Sequence, residues 1–311
     1  MRRAGFTIIE LLVIVFVVIA LLFVVTVAIT PAPRVNHRWM RDSVQLRGIQ
    51  QSLITWSGSN DDKYPLPSTI DVDNFTVPEL GRAKDTTANI MSLLVYEGFI
   101  TAELLVSPLE NNDRVQVYED YEIEDISGAV DPEKALWDPK LSADFTSDAG
   151  GNISYAHLIP DQSRLAVWGS TFKAEEAILS NRGPEMRSTE RTGGNVVTYF
   201  ADLGTNTTRL YDGPDHKTGY WSGNIAFNDS HVDFVNNLYA DNKPVGDPKA
   251  EPRLFVPSEN GELAYFHDVL FSDEQAPDGK DNWREAYDAN QFLGIFTTAG
   301  ESREDFTAIW D

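Results

Sequence analysis

Hydrophobic and polar positions follow three different patterns along this chain. Over residues 11–29 there is no charge, and sixteen of these nineteen side chains are Leu, Ile, Val or Phe. A helix rising about 1.5 Å per residue covers roughly 30 Å over that length, the thickness of a bilayer's hydrocarbon core. At about 0.3 to 0.6 kcal/mol per residue the apolar gain is on the order of 5 to 10 kcal/mol, against roughly 3 kcal/mol for the carboxylate of Glu10 just ahead of it. Membrane insertion is the predicted outcome, with an acid left at its edge. Pro31 and Pro33 then punctuate the run and are expected to kink it, because proline removes a backbone donor and crowds the preceding turn.

Beyond them the pattern becomes amphipathic. Val35, Trp39, Leu46, Ile49, Leu53 and Trp56 recur at helical spacings while Arg34, Arg38, Arg41 and Arg47 take other faces, so residues 35–57 are predicted to continue the helix. Ser57-Gly58-Ser59-Asn60-Asp61-Asp62-Lys63 stops it, and Tyr64-Pro65-Leu66-Pro67 is extended. Residues 87–97 read as a short helix closed by Gly98, with Ile90, Leu93 and Leu94 inward, and Thr101 as the cap of a turn through Leu105. Strands are predicted at 115–118, 121–123, 153–157, 164–168 and 195–201. Residues 224–227 and 231–235 are predicted to pair as a hairpin around Asn228-Asp229-Ser230. Residues 283–293 read as helix ended by Gly294, and no repeat is visible.

Composition changes the picture in two ways. With 311 residues the chain can bury a sizeable core, and with no cysteine it has no disulfide framework, thiolate zinc cluster, thiol nucleophile or lipoprotein attachment. The net charge of −23 is unevenly placed: residues 1–60 hold six arginines and two acids, which leaves the remainder at −27. A basic front with Arg2 and Arg3 fits a cytoplasmic start and puts the acidic remainder across the membrane. Such a head does not bind nucleic acid unaided. Its acidic run Glu119-Asp120-Tyr121-Glu122-Ile123-Glu124-Asp125 reads as a solvated strand edge.

Arg2-Arg3-Ala4-Gly5 followed by Phe6-Thr7-Ile8-Ile9-Glu10-Leu11-Leu12-Val13 resembles the prepilin leader and processing site of type IV pilins and type II secretion pseudopilins. The resemblance implies that a prepilin peptidase cuts after Gly5, that the new terminal residue Phe6 is N-methylated, and that Glu10 is the family's glutamate. Its carboxylate would neutralise the Phe6 amine of a neighbouring subunit in the helical core of a fibre. That role is physically sensible, since paired charges in low dielectric attract strongly and unpaired ones are penalised. A glycine before the cut also lets a peptidase approach the backbone closely. The implied partners are the peptidase, other pilin or pseudopilin subunits and the inner-membrane assembly platform. A cleavable secretory signal shares the basic opening, but its apolar core ends after about 7 to 15 residues. A plain membrane anchor satisfies the hydropathy and assigns no role to Glu10.

The order helix, Asn-Asp-Asp, Tyr-Pro over residues 46–67 further resembles a pseudopilin-like group whose exported domain ends in a histidine-to-Asp-Gly signature. In this chain twelve residues separate His216 from Asp229, longer than that group's spacing, and Ser230 stands where the glycine would be. A metal or catalytic role for His216, Asp229 and His231 lacks a further ligand at characteristic spacing, and a tight turn accounts for residues 228–230. Asp273-Glu274 with Asp278-Gly279-Lys280-Asp281-Asn282 resembles the acidic calcium loop of major pseudopilins, but it lacks the glutamate and alternate acids of an EF-hand. Calcium at Asp273, Asp278 and Asp281 stays open beside an ordinary acidic turn, and no other cofactor is predicted. The chain has no Gly-x-Ser-x-Gly elbow, His-Glu-x-x-His pair, phosphate loop or dinucleotide fingerprint, so no enzyme is expected.

The expected architecture is α+β, a long amino-terminal helix, transmembrane then amphipathic, packed on a mainly antiparallel β head in the manner of pilins. Its divisions are a leader (1–5), a transmembrane and assembly helix (6–30), its amphipathic continuation (31–57) and an extracytoplasmic head (58–311). The expected function is a structural subunit of a type II secretion pseudopilus or type IV pilus-like fibre, minor or specialised given its head size, in the bacterial inner membrane with its amino terminus cytoplasmic. A membrane-tethered periplasmic ligand-binding protein that never assembles is the second class, and an exported enzyme the third.

Overall fold

The computed structural model describes residues 8–29, 35–192, 196–202, 211–212, 219–235, 254–257, 263–266, 269–273 and 291–310. The chain divides after Arg38 into two compact units. The first contains helix α1 (Ile8–Ile29). Over residues 11–19 each of its side chains is 48–70% exposed. Nine consecutive positions pass more than twice around a helix, so among the described residues the exposure of this stretch is not confined to one face.

Helix α2 (Val35–Ser57) has the bounds its periodicity predicts. It ends where the turn residues begin: the Gly58 amide bonds Ile54 O at 3.2 Å, and Asp61 and Asp62 take left-handed φ angles of 52° and 58°. Short α3 (Pro67–Ile70) starts on its proline, whose missing donor costs nothing at a first turn. Helix α4 (Thr87–Tyr96) is capped by Thr86, which accepts from the Asn89 amide at 3.3 Å. It closes at Gly98, whose φ of +75° suits a residue without a Cβ. Thr101 precedes a tight turn over Ala102–Leu105 but makes no side-chain cap.

The strands follow late in the chain: β1 (Tyr155–Leu158), β2 (Ala177–Asn181), β3 (Glu185–Thr192), β4 (Val196–Asp202), β5 (Tyr211–Asp212), β6 (Gly219–Tyr220), β7 (Gly223–Phe227), β8 (Val232–Val235), β9 (Leu254–Pro257), β10 (Leu263–Phe266), β11 (Leu293–Thr298) and β12 (Thr307–Ile309). Six of them form one antiparallel sheet in the order β12-β11-β1-β2-β7-β8. Strands β3 and β4, β5 and β6, and β9 and β10 pair separately. The central strands β1, β2 and β7 are buried along their whole length, the mark of a sheet covered on both faces. Leu46, Ile49, Leu53 and Trp56 of α2 join Ile90, Leu93 and Leu94 of α4 and the sheet residues Tyr155, Leu179 and Ile225 in one core.

The expected pilin-like fold is corrected. There is no single long amino-terminal helix packed on the head, since α1 ends at Ile29 and α2 begins at Val35. Pro31 and Pro33 lie between the two helices, outside the described residues; a proline cannot donate to a helical ladder and disfavours helical geometry at the residue before it. Among the described residues no helix is long and apolar enough to cross a membrane.

Other expectations change too. Residues 115–118 and 121–123 are not strands: Val115 makes one isolated bridge to Gly151, while the Asp138 carboxyl takes the Tyr118 hydroxyl and the Glu122 amide, each at 3.1 Å. Side chains satisfy this backbone locally, so it needs no ladder. Residues 164–168 are a turn, because Asp161 accepts from the Arg164 amide at 3.0 Å and the Arg164 carbonyl from the amides of Val167 and Trp168 at 2.9 and 3.0 Å. Gly294 lies inside β11 rather than at a helix end. A Cβ there would stand 2.8 Å from the Phe296 ring, so the glycine admits that ring. Residues 283–290 lie outside the described ones.

Candidate functional site

The residues that carry the prepilin resemblance fall at the start of the first unit. Gly5 and Phe6 lie outside the described residues, and Glu10 is in the first turn of α1. From Leu11 to Ile19 the helix is apolar and exposed all the way round. A helix that is hydrophobic on every side is ordinarily buried in something. Within this chain nothing described covers it.

The second helix is held quite differently. Asp42 on α2 is fully buried, and its carboxyl group collects donors from four separate parts of the chain. The Tyr155 hydroxyl on β1 donates to Oδ1 at 2.9 Å, and the Ser107 hydroxyl donates to the same oxygen. Asn181 Nδ2 on β2 reaches both oxygens at 3.1 and 3.0 Å, and Asn224 Nδ2 on β7 reaches Oδ2 at 2.6 Å and the Trp39 carbonyl at 3.3 Å. Tyr155 and Asn181 are register partners on neighbouring strands, so the sheet itself sets them side by side beneath the helix. No described cation pairs with Asp42; the donors are all neutral. Burial and the neighbouring Asp42 push the Tyr155 hydroxyl well above its ordinary pKa, which keeps it protonated as a donor.

Two turns along α2 a second polar anchor repeats the theme. Gln50 Nε2 donates to the Tyr64 hydroxyl at 3.0 Å, and that hydroxyl donates to Asn228 Oδ1. Asn228 Nδ2 then reaches Gly169 O at 2.9 Å and Glu176 Oε2 at 3.1 Å. Asn228 thus does more than start a tight turn: it closes a buried chain from helix to hairpin. The pairing of β7 with β8 around it is as predicted, with Ser230 at a φ of 71°.

The remaining candidates separate. His231 lies on the hairpin with its ring stacked on Phe227 at 4.3 Å, and its Nδ1 meets Asp229 Oδ1. Partial burial raises the Asp229 carboxyl, but the amide and ring of His231 more than offset this and hold it below the ordinary range. Asp233 approaches the other ring nitrogen only to 3.9 Å. His216, Asp278 and Asp281 lie outside the described residues. Asp273 is engaged by Arg164 at 2.6 Å and Arg303 at 3.4 Å, so its charge is already met by two guanidinium groups. Among the described residues no group of three or more His, Asp or Glu is arranged to hold a metal.

The Asp42 cluster is closed to solvent and offers no room for a substrate; what it does is fix the position and rotation of α2 on the sheet. Sequence reasoning passed over it, although its signal was present. The apolar stripe of α2 runs Trp39, Leu46, Ile49, Leu53, and the step from 39 to 46 leaves one helical position unfilled, which Asp42 occupies. Comparison with known proteins adds no further constraint: no family model, no curated protein and no solved structure matches this chain.

Proposed function

We propose that the chain is a prepilin-like structural subunit, cut by prepilin peptidase after Gly5, N-methylated at Phe6, and assembled from the bacterial inner membrane into a type II secretion pseudopilus or type IV pilus-like fibre. The observation that carries this reading is the run from Arg2 to Leu12, basic, then Gly5-Phe6, then Glu10 at the head of an uncharged apolar stretch. The exposure of α1 around its whole circumference supports it, because such a rod needs lipid or other copies of itself around it. The firm seating of α2 supports it as well: a subunit pulled on by neighbours through its first helix requires a second helix that does not shift on the sheet. Membership as a minor or specialised subunit fits the head, which is larger than the role of a repeating building block demands.

Amino-terminal sequencing of the mature protein, with mass analysis for one methyl group, tests the assignment. Phe6 is expected as the first residue, and Glu10→Val is expected to abolish incorporation into fibres while leaving the subunit folded. A mature chain that begins at Met1, or beyond residue 29, overturns the proposal.

A further inference from the structure

Helix α2 has one face that no described residue covers. Met40, Val44, Arg47 and Gln51 recur at steps of four, three and four residues and form an outward stripe opposite Leu46, Ile49 and Leu53. Met40 is 64% and Val44 70% exposed, with Arg41 exposed beside them. Among the described residues no carboxylate pairs with Arg41 or Arg47, in a chain whose net charge is −23. The acidic run singled out in the sequence has the complementary character. Ile123 is 63% exposed, and around it Glu119, Asp120, Glu124 and Asp125 are exposed with no described cation pairing with them. Of the acids in that run, Glu122 alone has described side-chain partners, Ser127 and Lys140, the latter at 3.1 Å. Each surface is a small apolar centre with charge mainly of one sign around it, basic on α2 and acidic around Ile123, where Lys140 is held by Glu122.

We propose that the outward face of α2 around Met40 and Val44 docks the acidic segment around Ile123 of a second copy of this chain. The apolar centres exclude water while Arg41 and Arg47 set orientation against the acids and speed encounter. Because the two patches differ, the contact is heterologous: each copy offers its α2 face to one neighbour and its acidic segment to the next, and the series stays open unless its rotation closes it. This names the contacting surfaces of the assembly proposed above and rests on that reading for what the assembly is. An anionic lipid surface would also attract Arg41 and Arg47, but the part of the chain beyond residue 60 carries −27 and is repelled by it. A second copy brings the opposite charge to the same face.

The native chain has no cysteine, so introduced thiols are unambiguous. Full-length chains carrying Val44→Cys and Ile123→Cys, with different tags, are co-expressed in the membrane and mildly oxidised. The mixed disulfide is expected in several-fold excess over either like-with-like product. Arg41→Glu with Arg47→Glu is expected to lower it about fivefold, as two exposed ion pairs become repulsions, and Glu119→Lys with Glu124→Lys on the other copy to restore it. A mixed product no more abundant than with Val72→Cys, 71% exposed elsewhere on the surface, overturns the proposal. So does protection of the Val44→Cys thiol by anionic vesicles without any mixed disulfide, which assigns the face to lipid. If the mature chain begins at Phe6 and fibres form without the mixed disulfide, the contact alone fails; if Met1 is retained and the mixed disulfide forms, the prepilin reading fails and the contact stands.

Discussion

Helices α1 and α2 are nearly the same length, 22 and 23 residues, and are treated in opposite ways by the fold. The apolar one has its described large side chains exposed, while the polar one is seated in the core by Leu46, Ile49 and Leu53. Hydrophobicity alone does not decide which helix is buried among the described residues. What α2 has and residues 11–29 lack is a pair of polar groups on the buried side, Asp42 and Gln50, each able to meet its partners in one position only. Hydrogen bonds of this kind add little net stability when made but cost dearly when broken, so they choose one seating among many that would bury similar area. A helix without them fits any apolar surrounding.

The largest expected effect comes from removing the anchor that makes the difference. Asp42→Ala leaves the donors of Tyr155, Asn181, Asn224 and Ser107 without their acceptor inside the core, and a loss of about 4 kcal/mol in unfolding free energy is expected. Urea unfolding of the full chain in detergent measures it, and Asp42→Asn, which keeps one acceptor oxygen, should lose about half as much. If Asp42→Ala unfolds like the native chain, the seating of α2 is set by its apolar stripe after all.

Acid distinguishes the two regions as well. Residues 11–29 contain no titratable side chain, whereas the sheet contains a fully buried His157. The Phe296 amide donates to Thr87 Oγ1 at 2.7 Å, so the Thr87 hydroxyl proton turns to His157 Nε2 at 2.8 Å, and the ring donates through Nδ1 to Leu158 O at 2.8 Å. The ring is held neutral with one tautomer and joins α4, β1 and β11. Burial lowers its pKa from 6.5 to about 4, with the Leu158 carbonyl opposing. Between those values the unfolded chain binds the proton that the folded chain refuses, so this contribution is complete above pH 6.5 and is lost as pH falls toward about 4. The depression corresponds to about 3 kcal/mol. Unfolding free energy followed across that window should fall with acid in the native chain, and His157→Gln should remove that part of the slope.

How much of this was legible in the chain depended on whether the signal was periodic. The limits of α2, the α4 helix with Gly98 behind it, and the hairpin at 228–230 all rest on spacing within a few residues, and spacing is what a sequence displays. The coil over residues 115–123 had the β-prone composition of strands, but Asp138 lies far enough along the chain that its capture of Tyr118 and the Glu122 amide left no periodic trace. The Asp42 cluster draws on partners 65 to 182 residues away. Only its helical half could be read, as one acid in an apolar stripe. The prepilin resemblance rests on residues 2–13 alone and needs no distant partner to be seen, and the contact proposed between copies is likewise built from two local patches, one on α2 and one around Ile123.

The smallest expected effect is the sharpest probe of the contrast. Val15→Ala, at a position 50% exposed in α1, should change the unfolding of the isolated chain by less than about 0.5 kcal/mol, whereas Ile49→Ala, fully buried in α2, should cost about 3 kcal/mol. The truncation removes two methyl groups at Val15, and their burial has not happened until something outside the chain surrounds α1. Its cost should therefore appear only when subunits are packed together, as a lower threshold of detergent needed to dissociate them. Measured in the isolated chain and in assembled material, the same substitution tells whether α1 is part of the folded unit or part of the contact between units. An equal loss in both would mean that α1 is already packed on its own chain, and the contrast between the two helices would then have no bearing on assembly.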